Sequence, residues 1–183
     1  MTLVLLIVLF AIVTILVFSS SKISPIPYFP TLSVDFEAIK KALNLKNGHV
    51  LFDLGAGDGK IIFSFSDKNI KTVGVEINPY LVLVMKIRWL FYFNRKNVQI
   101  LWQSLFKTNI KQASHIYLFV GPYLIDSICS FVLKNKGKGL QKVVSYRYPP
   151  KKTHRIYKLA KVREVAASHP IYIWDFKTSS SRP

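Results

Sequence analysis

Apolar positions along the chain fall into three patterns, and each predicts a different element. Residues 2–18 form an unbroken run of apolar or hydroxyl side chains without a charge, about 25 Å of helix at ~1.5 Å per residue. Short apolar runs bounded by turn residues recur at 49–52, 72–75, 98–102, 115–120 and 140–146, and runs of that length read as buried strands. Helix-compatible stretches lie between them at 60–66, 79–93 and 124–133. Another precedes them at 34–45, where Phe36, Ile39, Ala42 and Leu43 recur at helical spacing with Lys40 and Lys41 opposite. Residues 156–165 and 171–176 can pair as a terminal antiparallel hairpin. The whole predicts an α/β domain.

The stretch 79–93 stands apart from the other helices. Apart from Lys86 and Arg88 almost every residue is apolar, among them Trp89, Phe91, Tyr92 and Phe93, yet it is too short to span a bilayer. Asn78-Pro79 supplies the start, with proline at the first helical position. The expectation is a buried core helix. The alternative is an outer face, with Trp89 and Tyr92 beside Lys86, Arg88, Arg95 and Lys96, that rests in a membrane interface.

The chemistry concentrates in Asp53-Leu54-Gly55-Ala56-Gly57-Asp58-Gly59, between the first strand and the helix that follows. Glycines at such a turn allow φ > 0 and let a ligand approach main-chain N–H groups. Asp53 and Asp58 argue against a phosphate there and suit a cation or a ribose. Lys60 is followed by Ile61, so the loop is no P-loop. The dinucleotide fingerprint places its third glycine three positions after its second, whereas Gly57 and Gly59 are two apart. The second strand ends in Glu76, about one βαβ repeat on, where an acid can accept from ribose hydroxyls.

At 183 residues the chain suffices for one such domain and an appendage. Its formal net charge of +17 favours anionic surroundings, either phospholipid or nucleic acid. One cysteine, Cys129, excludes an intrachain disulfide, and His49, His115, His154 and His169 share no metal-ligand spacing. No metal is expected. Met1-Thr2 lacks a basic n-region and Ser19-Ser20-Ser21-Lys22 is a poor cleavage site, so residues 1–21 read as an uncleaved single-pass transmembrane anchor. Basic residues begin at Lys22, which places the remainder on the cytoplasmic side, and a bacterial or archaeal plasma membrane fits an anchor that is apolar throughout. A proline-rich linker follows at 22–34, the domain itself spans 35–177, and 178–183 read as a disordered tail.

Four segments in order carry a resemblance: Pro27-Tyr28-Phe29-Pro30-Thr31, the glycine loop through Ile61, residues 74–82 with Glu76-Ile77-Asn78-Pro79, and Tyr146-Arg147-Tyr148-Pro149. The chain resembles the class I S-adenosylmethionine-dependent methyltransferases. Within them it is similar to the membrane-associated protein-lysine methyltransferases that modify the ATP synthase c subunit and the adenine nucleotide translocase. The resemblance covers residues 25–176. It implies a Rossmann-like seven-stranded sheet with a terminal antiparallel hairpin, S-adenosyl-L-methionine as cofactor, and a lysine in a membrane-embedded protein as methyl acceptor. An anionic lipid surface is the expected further partner, with nucleic acid less favoured.

The resemblance also assigns roles. Gly55, Gly57 and Gly59 shape the cofactor floor, Glu76 holds the ribose, Asp53 or Asp58 orders the methionine end, and Asn78, Ser104 and Leu105 complete the cofactor set. Ser104 stands where the family has an acid, and Gly121-Pro122 is spaced differently from the family pattern. Pro122 and Tyr123 are the catalytic-loop residues expected to line the amine pocket, with Tyr28, Thr31 and Arg147 toward the substrate. Two other functions stay open: a methyltransferase for a lipid amine, small molecule or RNA, and a membrane-tethered binding protein without turnover.

Overall fold

The computed structural model describes residues 2–19 and 28–176, with the side chains of 15–19 left undescribed. The expected tail at 178–183 and residues 22–27 of the expected linker lie outside them. Seven strands form one sheet: β1 (Val50–Leu54), β2 (Lys71–Glu76), β3 (Val98–Trp102), β4 (His115–Leu118), β5 (Lys142–Tyr146), β6 (Lys161–Val165) and β7 (Ile171–Asp175). Their order is β3-β2-β1-β4-β5-β7-β6. The first five run parallel, and β7 lies antiparallel to both β5 and β6. The predicted seven-stranded sheet with its terminal hairpin is therefore present.

Parallel strands need helical crossovers, and these cover both faces. Leu51 and Tyr117 alternate onto the face packed by α2 (Phe36–Leu43) and α3 (Lys60–Phe65), in a cluster with Ile39, Leu43, Ile61 and Phe65. Phe52, Leu54, Ile116 and Leu118 point to the other face, against Ile125, Ile128 and Val132 of α5 (Pro122–Asn135). The chain order reverses between β1 and β4. A crevice beyond the carboxyl ends of those strands is where open α/β sheets bind ligands.

Several element ends differ from the sequence expectation. Helix α2 begins at Phe36, preceded by a tight turn over Ser33–Asp35. Asp35 is buried there and accepts from the Tyr146 hydroxyl at 2.5 Å and the Ser168 N–H at 2.8 Å, with His169 Nδ1 3.0 Å away. Burial pushes the Asp35 carboxyl up, but these bonds outweigh it and hold it down at about 2. Residues 156–159 are a helical turn, α6 (Ile156–Leu159), in place of the start of a strand.

Helix α4 (Pro79–Leu90) is not the uniformly buried element expected. Leu81, Val82 and Met85 enter the core, while Leu83, Ile87 and Leu90 are about half exposed. The two polar-tipped aromatics expected on its outer face turn inward. Trp89 Nε1 donates to the carbonyls of Arg95 and Val98, and the Tyr92 hydroxyl to those of Phe63 and Ser66. A ring with a donor tip finds carbonyl acceptors at the edge of the core and satisfies both its ends there.

The apolar amino-terminal run folds as the expected helix, α1 (Thr2–Ser19), with most of its described side chains exposed. Its 18 residues make about 27 Å at ~1.5 Å per residue. Among the described residues no helix is long and apolar enough to cross a membrane.

Candidate active site

The pocket is built where β1 gives way to α3. Gly55, Gly57 and Gly59 take φ values of +94°, +58° and +81°, left-handed backbone that side chains disfavour. The loop turns back over the end of β2, so that the N–H groups of Gly55 and Ala56 both donate to the Val75 carbonyl, at 2.9 and 3.0 Å. Glu76, at the end of β2, completes the closure. Its Oε2 accepts from Gly57 N–H at 2.9 Å, and its Oε1 accepts from Ile77 and Asn78 N–H at 2.9 and 2.8 Å. An ionised carboxylate offers about four acceptor positions. Three are used, one on the glycine loop and two on the turn after β2, which fixes the carboxylate and leaves Oε2 able to accept once more.

Three carboxyl groups meet here and their surroundings differ. Asp53 is fully enclosed at the end of β1, where burial, with the charges of Glu76 and Asp58 added, pushes its carboxyl well above the ordinary range. Burial also raises Glu76, but its three backbone donors pull the other way. Asp58 is tied outward by Arg88, whose guanidinium donates to its Oδ2 at 2.9 Å and its carbonyl at 2.8 Å. The result is one charge-starved acid, Asp53, facing the same cavity as a hydrogen-bonded one. A cation entering beside Asp53 would restore its ionised form.

The segment before α2 lies over this floor. A side chain at Gly57 would place its Cβ 2.6 Å from the Tyr28 ring, so Tyr28 rests directly on the glycine loop. Burial and the neighbouring Asp58 raise the Tyr28 hydroxyl above its ordinary value. Lys60 Nζ donates to the Thr31 carbonyl at 2.7 Å and the Ser33 hydroxyl at 2.9 Å, and the Thr31 hydroxyl lies 3.0 Å from that of Tyr117. Phe29, Leu105, Phe106, Phe119, Val120 and Leu124 make the remaining walls largely apolar.

Of the residues expected at the site, Tyr28, Thr31, Asp53, Gly55, Gly57, Asp58, Glu76, Ser104 and Leu105 line this pocket. Gly59 sits behind it as the residue before α3, where a Cβ would strike Met85 and Phe63. Asn78 is buried and caps α4 by accepting from Tyr80 N–H. Pro122 and Tyr123 form the first turn of α5 outside the pocket lining, with Tyr123 exposed. Arg147 lies one layer back, its guanidinium 5.5 Å from the centre of the Phe119 ring that does line the pocket. Ser104 caps the turn over Leu105–Lys107 through a 3.4 Å bond from Phe106 N–H.

Sequence reasoning overlooked Lys60, Tyr117 and Phe119. The signal for the last two was available, because Asp53 pairs with Tyr117 across β1 and β4 and a strand returns to the same face every second residue. Asp53, Tyr117 and Phe119 are one row. Lys60 gave no such signal, since its partners are set by the path of an irregular segment.

Comparison with known proteins follows the same outline. Residues 53–155 match the model of the ANTKMT methyltransferase domain. Relatives include a lysine N-methyltransferase of the ATP synthase c subunit from Xenopus laevis, 25% identical over 148 residues that cover 79% of this chain and 63% of the relative. The human protein of the same name is 26% identical over 124 residues, covering 68% of this chain and 52% of the relative. The chain thus spans only about half to two thirds of these relatives. Among solved structures, an RNA methyltransferase from Salinibacter ruber in complex with S-adenosyl-L-homocysteine superposes with a TM-score of 0.70 at 20% identity, covering 85% of this chain and 97% of that one. A dimethyladenosine transferase from Plasmodium falciparum gives 0.69 at 15%, covering 84% and 65%. At such identities these likenesses concern the fold. With more than half of its length matched by the family model, the chain belongs to the ANTKMT methyltransferase-domain family.

Proposed function

We propose that this protein is an S-adenosylmethionine-dependent methyltransferase that acts on a lysine ε-amine of a membrane protein. The observation that carries the reading is Glu76, a buried carboxylate clamped to Gly57 N–H at the mouth of β2. It retains acceptor capacity toward a pocket whose walls are mostly apolar. The residues fit the cofactor: Glu76 for ribose hydroxyls, Asp53 for a cationic ammonium, and the left-handed Gly55 and Gly57 for close approach of the ligand to the backbone. Leu105 and Ile77 offer apolar surface to an adenine. When bound, S-adenosylmethionine supplies an electrophilic methyl group.

The chain's own part is positioning and exclusion of water. A lysine amine must be neutral to react, and its free pKa is about 10.4. Walls formed by Phe29, Phe106, Phe119 and Leu124 disfavour an ammonium by desolvation. Its proton therefore leaves for solvent before the amine is enclosed, and a dedicated general base is not required. The relatives named as lysine N-methyltransferases of the ATP synthase c subunit point to the same acceptor class.

Helix α1 serves in this reading as a single-pass anchor, supported by its uncharged sequence and its exposed apolar side chains. A spanning helix takes about 20 residues, and α1 has 18. The basic residues from Lys22 onward favour a cytoplasmic domain. Calorimetric titration of S-adenosylmethionine into the full chain tests the cofactor. Binding that Glu76→Ala abolishes is expected, together with label transfer to lysine in a membrane fraction. A folded protein without binding would refute the reading.

A further inference from the structure

Helix α4 and the turn after it leave an apolar ridge that the proposed chemistry does not use. Leu83, Ile87 and Leu90 follow one another at the spacing of a single helical face, with exposures of 54%, 50% and 57%. Phe91 and Phe93 continue it at 85% each. Two phenylalanines so exposed, directly after three exposed aliphatic residues of one helical face, are not the scattered surface apolar residues that any protein carries. Their aromatic neighbours Trp89 and Tyr92 are pinned inward by hydrogen bonds, so the ridge is held outward by a rigid base.

Charge identifies the occupant. Between Glu76 and Asp126 the sequence contains no aspartate or glutamate, while Lys86, Arg88, Arg95, Lys96, Lys107 and Lys111 all fall within that stretch. Lys86, Arg95 and Lys96 are exposed and adjoin these positions in the sequence. Asp58 occupies Arg88 and Asp67 lies near Tyr92, but the segment's remaining charges are basic, and an apolar face with such a margin matches an anionic lipid surface. It would repel a lysine-rich protein. We infer that the ridge Leu83, Ile87, Leu90, Phe91 and Phe93 is a membrane-contact surface, seated in the interface of an anionic bilayer by its own side chains. It is distinct from α1 and does not require α1 to span.

The geometry gives this contact a consequence. Ile77, immediately before α4, is 42% exposed and lines the pocket, and Trp102 at the end of edge strand β3 is 63% exposed and donates to the Ile77 carbonyl at 3.1 Å. Seating the ridge would fix the tilt of the sheet edge that carries the pocket's rim, and so present the pocket to an acceptor amine near the headgroups.

The test uses the full chain, with an environment-sensitive fluorophore on Phe91→Cys, Ile87→Cys or, as reference, Lys152→Cys. The native Cys129 is buried and its thiol is pushed up to about 12, so it stays unlabelled. Vesicles contain phosphatidylglycerol or only phosphatidylcholine, with spin-labelled lipid as quencher. At a depth of about 5–10 Å, labels at 91 and 87 should shift to the blue and lose most of their emission to the quencher. They should do so only in anionic vesicles, with position 152 unchanged. Emission at 91 as wet as at 152 overturns the inference, and so does a blue shift without lipid quenching that follows protein concentration, which would mean a second copy covers the face. S-adenosylmethionine titration of the same labelled proteins separates the ideas: intact binding with a wet label refutes the contact alone.

Discussion

Lys60 Nζ donates to the Thr31 carbonyl oxygen at 2.7 Å, so the first residue of α3 holds down the segment that covers the glycine loop. A second bond from the same ammonium reaches the Ser33 hydroxyl, and the cation lies 5.0 Å from the centre of the Phe36 ring. Three contacts from one side chain therefore join the pocket's floor to its cover. Lys60→Met keeps the length of the chain and removes both hydrogen bonds. A charge-assisted bond contributes about 1.5–3 kcal/mol. Cofactor affinity is expected to fall at least about tenfold, with little change in thermal midpoint, because the cover is a peripheral segment. Titration calorimetry and a melting curve together check this, and unchanged affinity would refute the strap.

Asp53 couples protons to ligand. Its carboxyl, raised by burial, holds a proton in the free protein above the ordinary carboxylate range, and a cationic ligand would drive that proton off. Cofactor affinity should therefore rise with pH until free Asp53 ionises by itself. Titrations in buffers of different ionisation enthalpy should detect proton release on binding below that point, absent in Asp53→Asn.

The same substitution should stabilise the free protein at neutral pH. An unfolded aspartate ionises near ~3.9, so above that value the folded state binds more protons than the unfolded one and stability declines as pH rises toward the raised pKa. Asn carries no such penalty. A higher midpoint with cofactor affinity lost is the expected pair of results, and a lower midpoint would mean the carboxyl is held by bonds that Asn cannot make.

Gly57 and Tyr28 should behave as one unit. Gly57→Ala asks for a Cβ 2.6 Å from the ring, at φ +58°. The backbone alone would cost about 1–2 kcal/mol, and the clash adds to it. Gly57→Ala with Tyr28→Ala should recover part of the lost affinity, a coupling that a double-mutant cycle measures. Strict additivity would mean the backbone is the whole effect.

Much of this site was legible because its residues are local in sequence. The glycine loop, Glu76 and the strand alternation around them need only the spacing of about one βαβ repeat, and Gly55, Gly57 and Glu76 meet in one pocket while Gly59 sits behind it. What was not legible depends on long-range packing. The exposure of Leu83, Ile87 and Leu90 could not be read from a helix that is apolar all round, because nothing local says which face has a neighbour. Pro122 and Tyr123 follow β4 as the resemblance suggests, but α5 starts at Pro122 itself and takes both into its first turn. Lys60 and Asp35 act through partners 29 and more than 100 residues away.

His115 supplies a pH response of opposite sign to that of Asp53. It is buried in β4 with its ring 4.4 Å from that of His49. Burial, with the charges of His49 and Lys142 added, holds it down at about 3. An unfolded histidine takes up its proton near ~6.5. Between these values the unfolded state binds the extra proton, so the stability from neutral His115 is whole above ~6.5 and is lost as pH falls toward 3. The slope is at most about 1.4 kcal/mol per pH unit. Asp35, held near 2, adds its own loss only below the ordinary carboxylate range. Acid unfolding between pH 6 and 4 should therefore follow His115 first, and His115→Leu should flatten denaturant-derived stability across that window. A slope equal to that of the unsubstituted protein would assign the response to His49 or another group.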